Sequence, residues 1–162
     1  MIASPKRCRC CLRARGYVYL GPVYSEAELD DALCPWCIAN GAAHAKFDAA
    51  FVDAEAFSDG VPPILVDEIC TRTPGFNAWQ TPRWLTVDAM PAEFVEPAGI
   101  AEIRSRYPSL EGTLMSFIVH DLGISGGAAV RMLEALRRDQ CPTAYVFYDR
   151  AHDQHLGYVD FL

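Results

Sequence analysis

Five of the chain's seven cysteines fall between Arg7 and Gly41, in RCRCCLRARGYVYLGPVYSEAELDDALCPWCIANG. Their spacing is Cys8-x-x-Cys11, then 22 residues, then Cys34-x-x-Cys37. A C-x-x-C turn offers two thiolates to one cation, and two such turns complete a tetrahedron. Four soft thiolates suit Zn²⁺ and leave no open position for water, so Cys8, Cys11, Cys34 and Cys37 are predicted to hold one structural zinc ion. Cys10 lies out of register with its neighbour Cys11 and is surplus, free to substitute or oxidise. The competing chemistry is a thioredoxin-like redox pair at Cys34-Pro35-Trp36-Cys37, but that chemistry belongs to a strand–helix step of a βαβ fold without a second C-x-x-C nearby.

Two short turns must be brought together, and the residues between them set how. Gly16-Tyr17-Val18-Tyr19-Leu20 reads as a strand, Gly21-Pro22 as a turn and Val23-Tyr24 as its return. Ser25 and Glu28 match the capping box, which predicts a short helix over 26–32. Lys6, Arg7, Arg9, Arg13 and Arg15 crowd the first pair. A [Zn(Cys)₄] centre is dianionic, and Arg9 and Arg13 are expected to balance it in preference to gripping phosphate.

The net charge of −7 argues against a general nucleic-acid surface. From Leu20 to Cys70 there are ten acids and one base, Lys46. Such a stretch suits a basic protein partner or simply keeps the surface soluble. No segment reaches the ~18 apolar residues of a membrane span, and the start has no apolar signal-peptide core. The expected location is the cytoplasm, where thiols stay reduced and clustered cysteines point to metal; an odd cysteine count agrees.

RGYVYLGPVY, LCPWCIANG, AHAKFDAAFVD, EICTRTPGFNAWQ and CPTAYVFY together resemble the CbrC family of bacterial proteins. The C-P-W-C-I-A-x-G block and the R-T-P-G-F turn carry the resemblance, which is dense in the N-terminal half and returns in the last ~25 residues. Its name-giving member is linked to tolerance of an E-group colicin. The resemblance also implies a second cysteine set, after the tryptophan that follows R-T-P-G-F and again in the last hairpin. Here those places read Trp84-Leu85-Thr86-Val87-Asp88 and Phe147-Tyr148-Asp149-Arg150-Ala151-His152, so only the first set is kept.

The rest of the chain reads as scaffold. A helix is predicted over 38–51 with Phe47, Ala50 and Phe51 inward. Another begins at Val61-Pro62-Pro63, with Ile64, Leu65, Ile69 and Cys70 inward, and ends at Pro74-Gly75. Phe76, Trp79 and Trp84 are candidates for core or for an aromatic patch. Helices are predicted over 99–106, 110–122 and 124–138, the last amphipathic through Ala128, Val130, Met132, Leu133 and Leu136. Strands are predicted over 143–148 and 156–161, with a loop over 150–154.

Several other groups are set aside. Gly123-Ile124-Ser125-Gly126-Gly127 is a capping turn and matches no phosphate loop. His152, His155, Asp149 and Asp153 match no standard metal spacing. His120-Asp121 has no nucleophile motif beside it. Asp30-Asp31 and Asp67-Glu68 are adjacent, and neighbours on a helix do not share a face.

These readings predict an α+β protein: an N-terminal zinc ribbon over 1–60 packed on helices, and an α+β remainder over 61–162 closed by a β-hairpin. No enzyme activity is expected. The expected function is a zinc-stabilised cytoplasmic binding protein, resembling a toxin-tolerance or immunity protein that neutralises a cationic toxin by contact. Its candidate partner-binding residues are Glu26, Glu28, Asp30, Asp31, Asp53 and Glu55. The alternative is a nucleic-acid-associated zinc ribbon using Arg7, Arg9, Arg13 and Arg15, with an enzyme third.

Overall fold

A computed structural model describes residues 1–161. Its contacts divide the chain into two compact units, Met1–Asn77 and Ala78–Leu162. The boundary predicted at residue 60 lies inside the first of these units. The helix that follows residue 60 belongs there because Phe51 N–H donates to the Cys70 carbonyl at 2.7 Å.

In the first unit, β1 (Ile2–Ala3) pairs antiparallel with β2 (Tyr17–Val18). Then come α1 (Pro35–Ala39), α2 (Ala42–Phe47), a 3-10 turn (Ala54–Ala56) and α3 (Pro63–Arg72). Proline at the first position suits both α1 and α3, since an N–H there would have no helical partner. The core gathers Tyr19, Leu29, Leu33, Ile38, Ala43, Ala49 and Phe51 around three buried cysteines, Cys8, Cys34 and Cys37. Gly75 sits so close to the chain that an added Cβ would overlap the Phe51 carbonyl oxygen. That close approach explains the glycine of the R-T-P-G-F turn.

Three predictions change here. Residues 26–32 form bends and turns instead of a helix. The Ser25 hydroxyl accepts from the Ala27 N–H and donates to the Phe47 carbonyl, and Asp31 takes a left-handed φ of 51°. Local side-chain bonding of this kind competes with a helix too short to nucleate alone. The predicted helix over 38–51 is broken in two at Asn40-Gly41, where Gly41 has φ 75°, and it stops at Asp48 with φ 48°. Ala50 instead bridges to Tyr24 as extended chain. In α3, Cys70 is buried as predicted, but Ile64 is 72% exposed, because the first turn of that helix points outward.

The second unit carries β3 (Thr86–Val87) and β4 (Met90–Pro91), a tight hairpin turning through Asp88 and Ala89, both at positive φ. It continues through β5 (Glu93–Ala98), α4 (Ile100–Arg106), α5 (Leu110–His120), α6 (Gly126–Glu134), β6 (Thr143–Asp149) and β7 (Gln154–Asp160). The β5-β6-β7 sheet is antiparallel, and α5 packs on β7. Ile103, Leu110, Leu114, Ile118, Leu133 and Leu136 pack with Ala144, Val146 and Val159. The α+β class and the closing hairpin match prediction. The last helix is shorter than 124–138: Leu133 and Leu136 are buried, while Val130 is half-exposed and Ala129, not Ala128, lies inward.

Trp84 is core. It is 4% exposed, its ring meets Phe147 edge-on at 5.7 Å, and its Nε1–H donates to the Ala92 carbonyl. Trp79 is 41% exposed, with Nε1–H on the Thr143 hydroxyl. Packing and hydrogen bonds therefore occupy the places where the resemblance implied further thiols. No helix among the described residues is long and apolar enough to cross a membrane.

Candidate metal centre

The four predicted cysteines converge. The sulfurs of Cys8, Cys11, Cys34 and Cys37 all lie within 4.8 Å of one another. Cys11 Sγ and Cys34 Sγ are 4.0 Å apart, and none of the four is in a disulfide. A disulfide needs about 2.05 Å between sulfurs. A tetrahedron with bonds of about 2.3 Å has edges of about 3.8 Å, so these sulfurs fit one tetrahedral thiolate-bound metal ion. Among the described residues no other cluster of histidine, cysteine and acids has this form.

Each pair is positioned by its own backbone. In the first, Cys8 N–H donates to the Arg13 carbonyl and Leu12 N–H to the Cys8 carbonyl, at 2.9 and 2.7 Å. Leu12 takes φ 59°, which folds the chain back sharply. In the second pair, Cys34 is the N-cap of α1 and Cys37 lies in its first turn, with Cys37 N–H on the Cys34 carbonyl. The pairs are joined directly: Cys34 N–H donates to Cys8 Sγ at 3.3 Å. Amide donation to a sulfur stabilises a thiolate.

Without metal, Cys11 and the two thiols of the second pair hold their protons unequally. Burial opposes ionisation of Cys11, but the Arg13 backbone N–H and hydrogen bonds from Cys37, Cys8 and Cys34 prevail, bringing its thiol down to about 6. Burial pushes Cys34 up, and pushes Cys37 up further. A thiolate-binding metal must displace the protons that remain.

Arg9 reaches the Glu28 carbonyl with its guanidinium. Lys46 donates to the carbonyls of Arg9 and Cys10 at 3.3 and 3.1 Å, clamping the first turn from α2. The sequence signal for Lys46 as a site residue is its position as the lone base in an acidic stretch. Cys10 stays outside the four-sulfur set but within hydrogen-bonding reach of Cys37.

The acidic candidates are spread out. Glu26, Glu28, Asp30, Asp31 and Glu55 are exposed, and none enters a salt bridge among the described residues. Asp53 is half-buried, and its carboxylate caps the 3-10 turn through Glu55 N–H. At the other end of the chain, His152 Nδ1 lies 2.6 Å from the buried carboxylate of Asp149, which also receives Gln154 Nε2 and the Ala151 amide. This group is a hydrogen-bonded hairpin loop.

The sequence is 36% identical over 162 residues to a UPF0167 protein of Mycobacterium bovis, covering 99% of this chain and 86% of that one. A UPF0167 protein of Mycobacterium tuberculosis matches to the same extent. A UPF0167 protein of Pseudomonas aeruginosa is 48% identical over 103 residues, 62% of this chain and 58% of its own length. No solved structure matches. The model of the uncharacterised protein family UPF0167 matches residues 1–161, and the chain belongs to that family.

Proposed function

We propose that this protein is a zinc-stabilised binding protein of the cytoplasm, in which the metal shapes the first unit and takes no part in catalysis. The observation that supports this most is the mutual closeness of four free sulfurs from two turns that also share a hydrogen bond. Zn²⁺ bound to all four would have a complete coordination shell, leaving no position for water or substrate. Zinc is the natural occupant because it favours tetrahedral thiolate sites and has no redox chemistry to damage them.

The partner in this reading is a basic protein. The resemblance to the CbrC family suggests a toxin, neutralised by contact. Glu26, Glu28, Asp30 and Asp31 support it as exposed acids without salt bridges among the described residues. Unpaired surface acids speed encounter with a cationic partner, and the effect fades as salt rises.

The test is surface binding of the zinc-loaded protein to a panel of basic bacterial toxin domains. One member should bind, and Glu26→Lys combined with Asp30→Lys should slow its association about tenfold or more. Failure across the panel, or indifference to charge reversal, contradicts the proposal.

A further inference from the structure

The first unit carries a second surface, opposite in charge to the acidic segment, which the binding-protein reading does not use. Trp36 lies between two of the sulfur ligands, Cys34 and Cys37, yet is 42% exposed. Tyr17 is 53% exposed, with its ring centroid 6.3 Å from that of Trp36 and tilted by 57°. The Arg15 guanidinium stands over the Trp36 ring at 5.7 Å. Two large aromatic rings and a guanidinium thus form one exposed set.

Five basic residues lie in the same stretch of chain, more than the two charges of a four-thiolate zinc centre would balance. Lys6, Arg7, Arg9, Arg13 and Arg15 fall within ten residues that contain no acid. None of them enters a salt bridge among the described residues. Arg7, Arg9, Arg13 and Arg15 are all exposed. Arg9 donates to a backbone carbonyl, which leaves its charge uncancelled.

We infer that Trp36, Tyr17 and Arg15, with Arg7, whose backbone bridges to Ala14 next to Arg15, form a docking surface for single-stranded nucleic acid. The rings offer faces on which unpaired bases stack, and the arginines offer charge and paired donors to phosphates. Stacking tolerates any base, so binding on this surface is insensitive to sequence. The chain's overall negative charge opposes wrapping by duplex DNA, but a local basic strip with aromatic faces suits a short single strand. Because Trp36 sits within the Cys34–Cys37 turn, metal binding fixes the backbone that presents it.

The experiment titrates the zinc-loaded full chain with a short mixed-sequence single-stranded oligonucleotide at low salt, following tryptophan emission and anisotropy. Binding should quench emission through Trp36, with a log–log salt slope of about −2 to −3. Trp36→Ala should abolish the quench and weaken binding about tenfold. Arg7→Gln with Arg15→Gln should weaken binding and flatten the salt slope while leaving zinc content unchanged. Absence of binding at low salt overturns the inference, as does binding that Trp36→Ala leaves intact. A poly-glutamate peptide that binds as tightly as the oligonucleotide also overturns it, because charge alone would then explain the surface.

Discussion

Cys34 donates its backbone N–H to the sulfur of Cys8, across 26 residues of sequence, at 3.3 Å. That single bond joins the N-cap of α1 to the first cysteine turn. It also gives the two turns unequal standing toward each other: Cys8 supplies a sulfur that belongs to the four-sulfur set and is also an acceptor. Replacing it by serine removes both roles at once. Cys8→Ser is expected to lose bound zinc and to lower the melting temperature of the first unit by roughly 12–24 °C or more, corresponding to at least about 3 kcal/mol. Cys10→Ser, outside the four-sulfur set, is expected to retain one zinc per chain. Metal content and calorimetry on both variants check this.

Gly75→Ala tests the packing of the R-T-P-G-F turn. The added methyl would collide with the Phe51 carbonyl, a backbone atom whose residue is fully buried. Relief requires moving the chain at the centre of the first core, at a cost of about 1–3 kcal/mol. Denaturant unfolding should show a lower midpoint. Gly60→Ala is no substitute control, since Gly60 has φ 96° and is strained by any side chain.

Asp149 links stability to pH. Burial alone would raise its carboxyl, but hydrogen bonds from Gln154 and His152 hold it below the usual 3.8. A depressed folded value means that the stabilisation is fully present above the unfolded value and is lost as pH falls through the folded one. Asp149→Asn should therefore lower stability near neutral pH and flatten the decline seen below about pH 4. Chemical denaturation of both proteins across that range reads the difference.

Glu96 is the hub of the second unit's polar contacts. Its oxygens meet Arg106 Nη1 at 2.6 Å and Arg138 Nη1 at 3.0 Å, and accept from the Tyr107 hydroxyl at 2.6 Å. Its side chain is only 13% exposed, so water cannot replace these partners freely. Glu96→Gln should cost about 1–3 kcal/mol in unfolding free energy.

The four-cysteine cluster was legible because its chemistry is local. Two C-x-x-C turns announce themselves in four residues each, and no distant context changes what they offer. The closing hairpin was legible for a similar reason, since β6 carries a short run of β-favouring residues, Tyr145 to Tyr148, and pairs with its own neighbour, β7. What stayed hidden depended on distant partners. β1 is two residues long and exists only because Tyr17–Val18 returns to it. β5 contains Pro97 and a bulge between Phe94 and Glu96, which erase the period-two pattern. The capping-box pattern at Ser25 misled because the serine hydroxyl found the Phe47 carbonyl, a residue 22 positions away. The acidic residues carried no geometric signature at all, and one of them, Asp53, caps a turn.

If one zinc ion held by Cys8, Cys11, Cys34 and Cys37 organises the first unit, that unit must lose stability when the ion is removed. Native mass spectrometry of the purified chain, paired with thermal unfolding before and after chelation, tests it most directly. One zinc per chain is expected, with a marked fall in unfolding temperature once the metal is stripped, restored on adding zinc back. A chain that carries no metal when made in zinc-replete medium, or that melts unchanged after chelation, would contradict it.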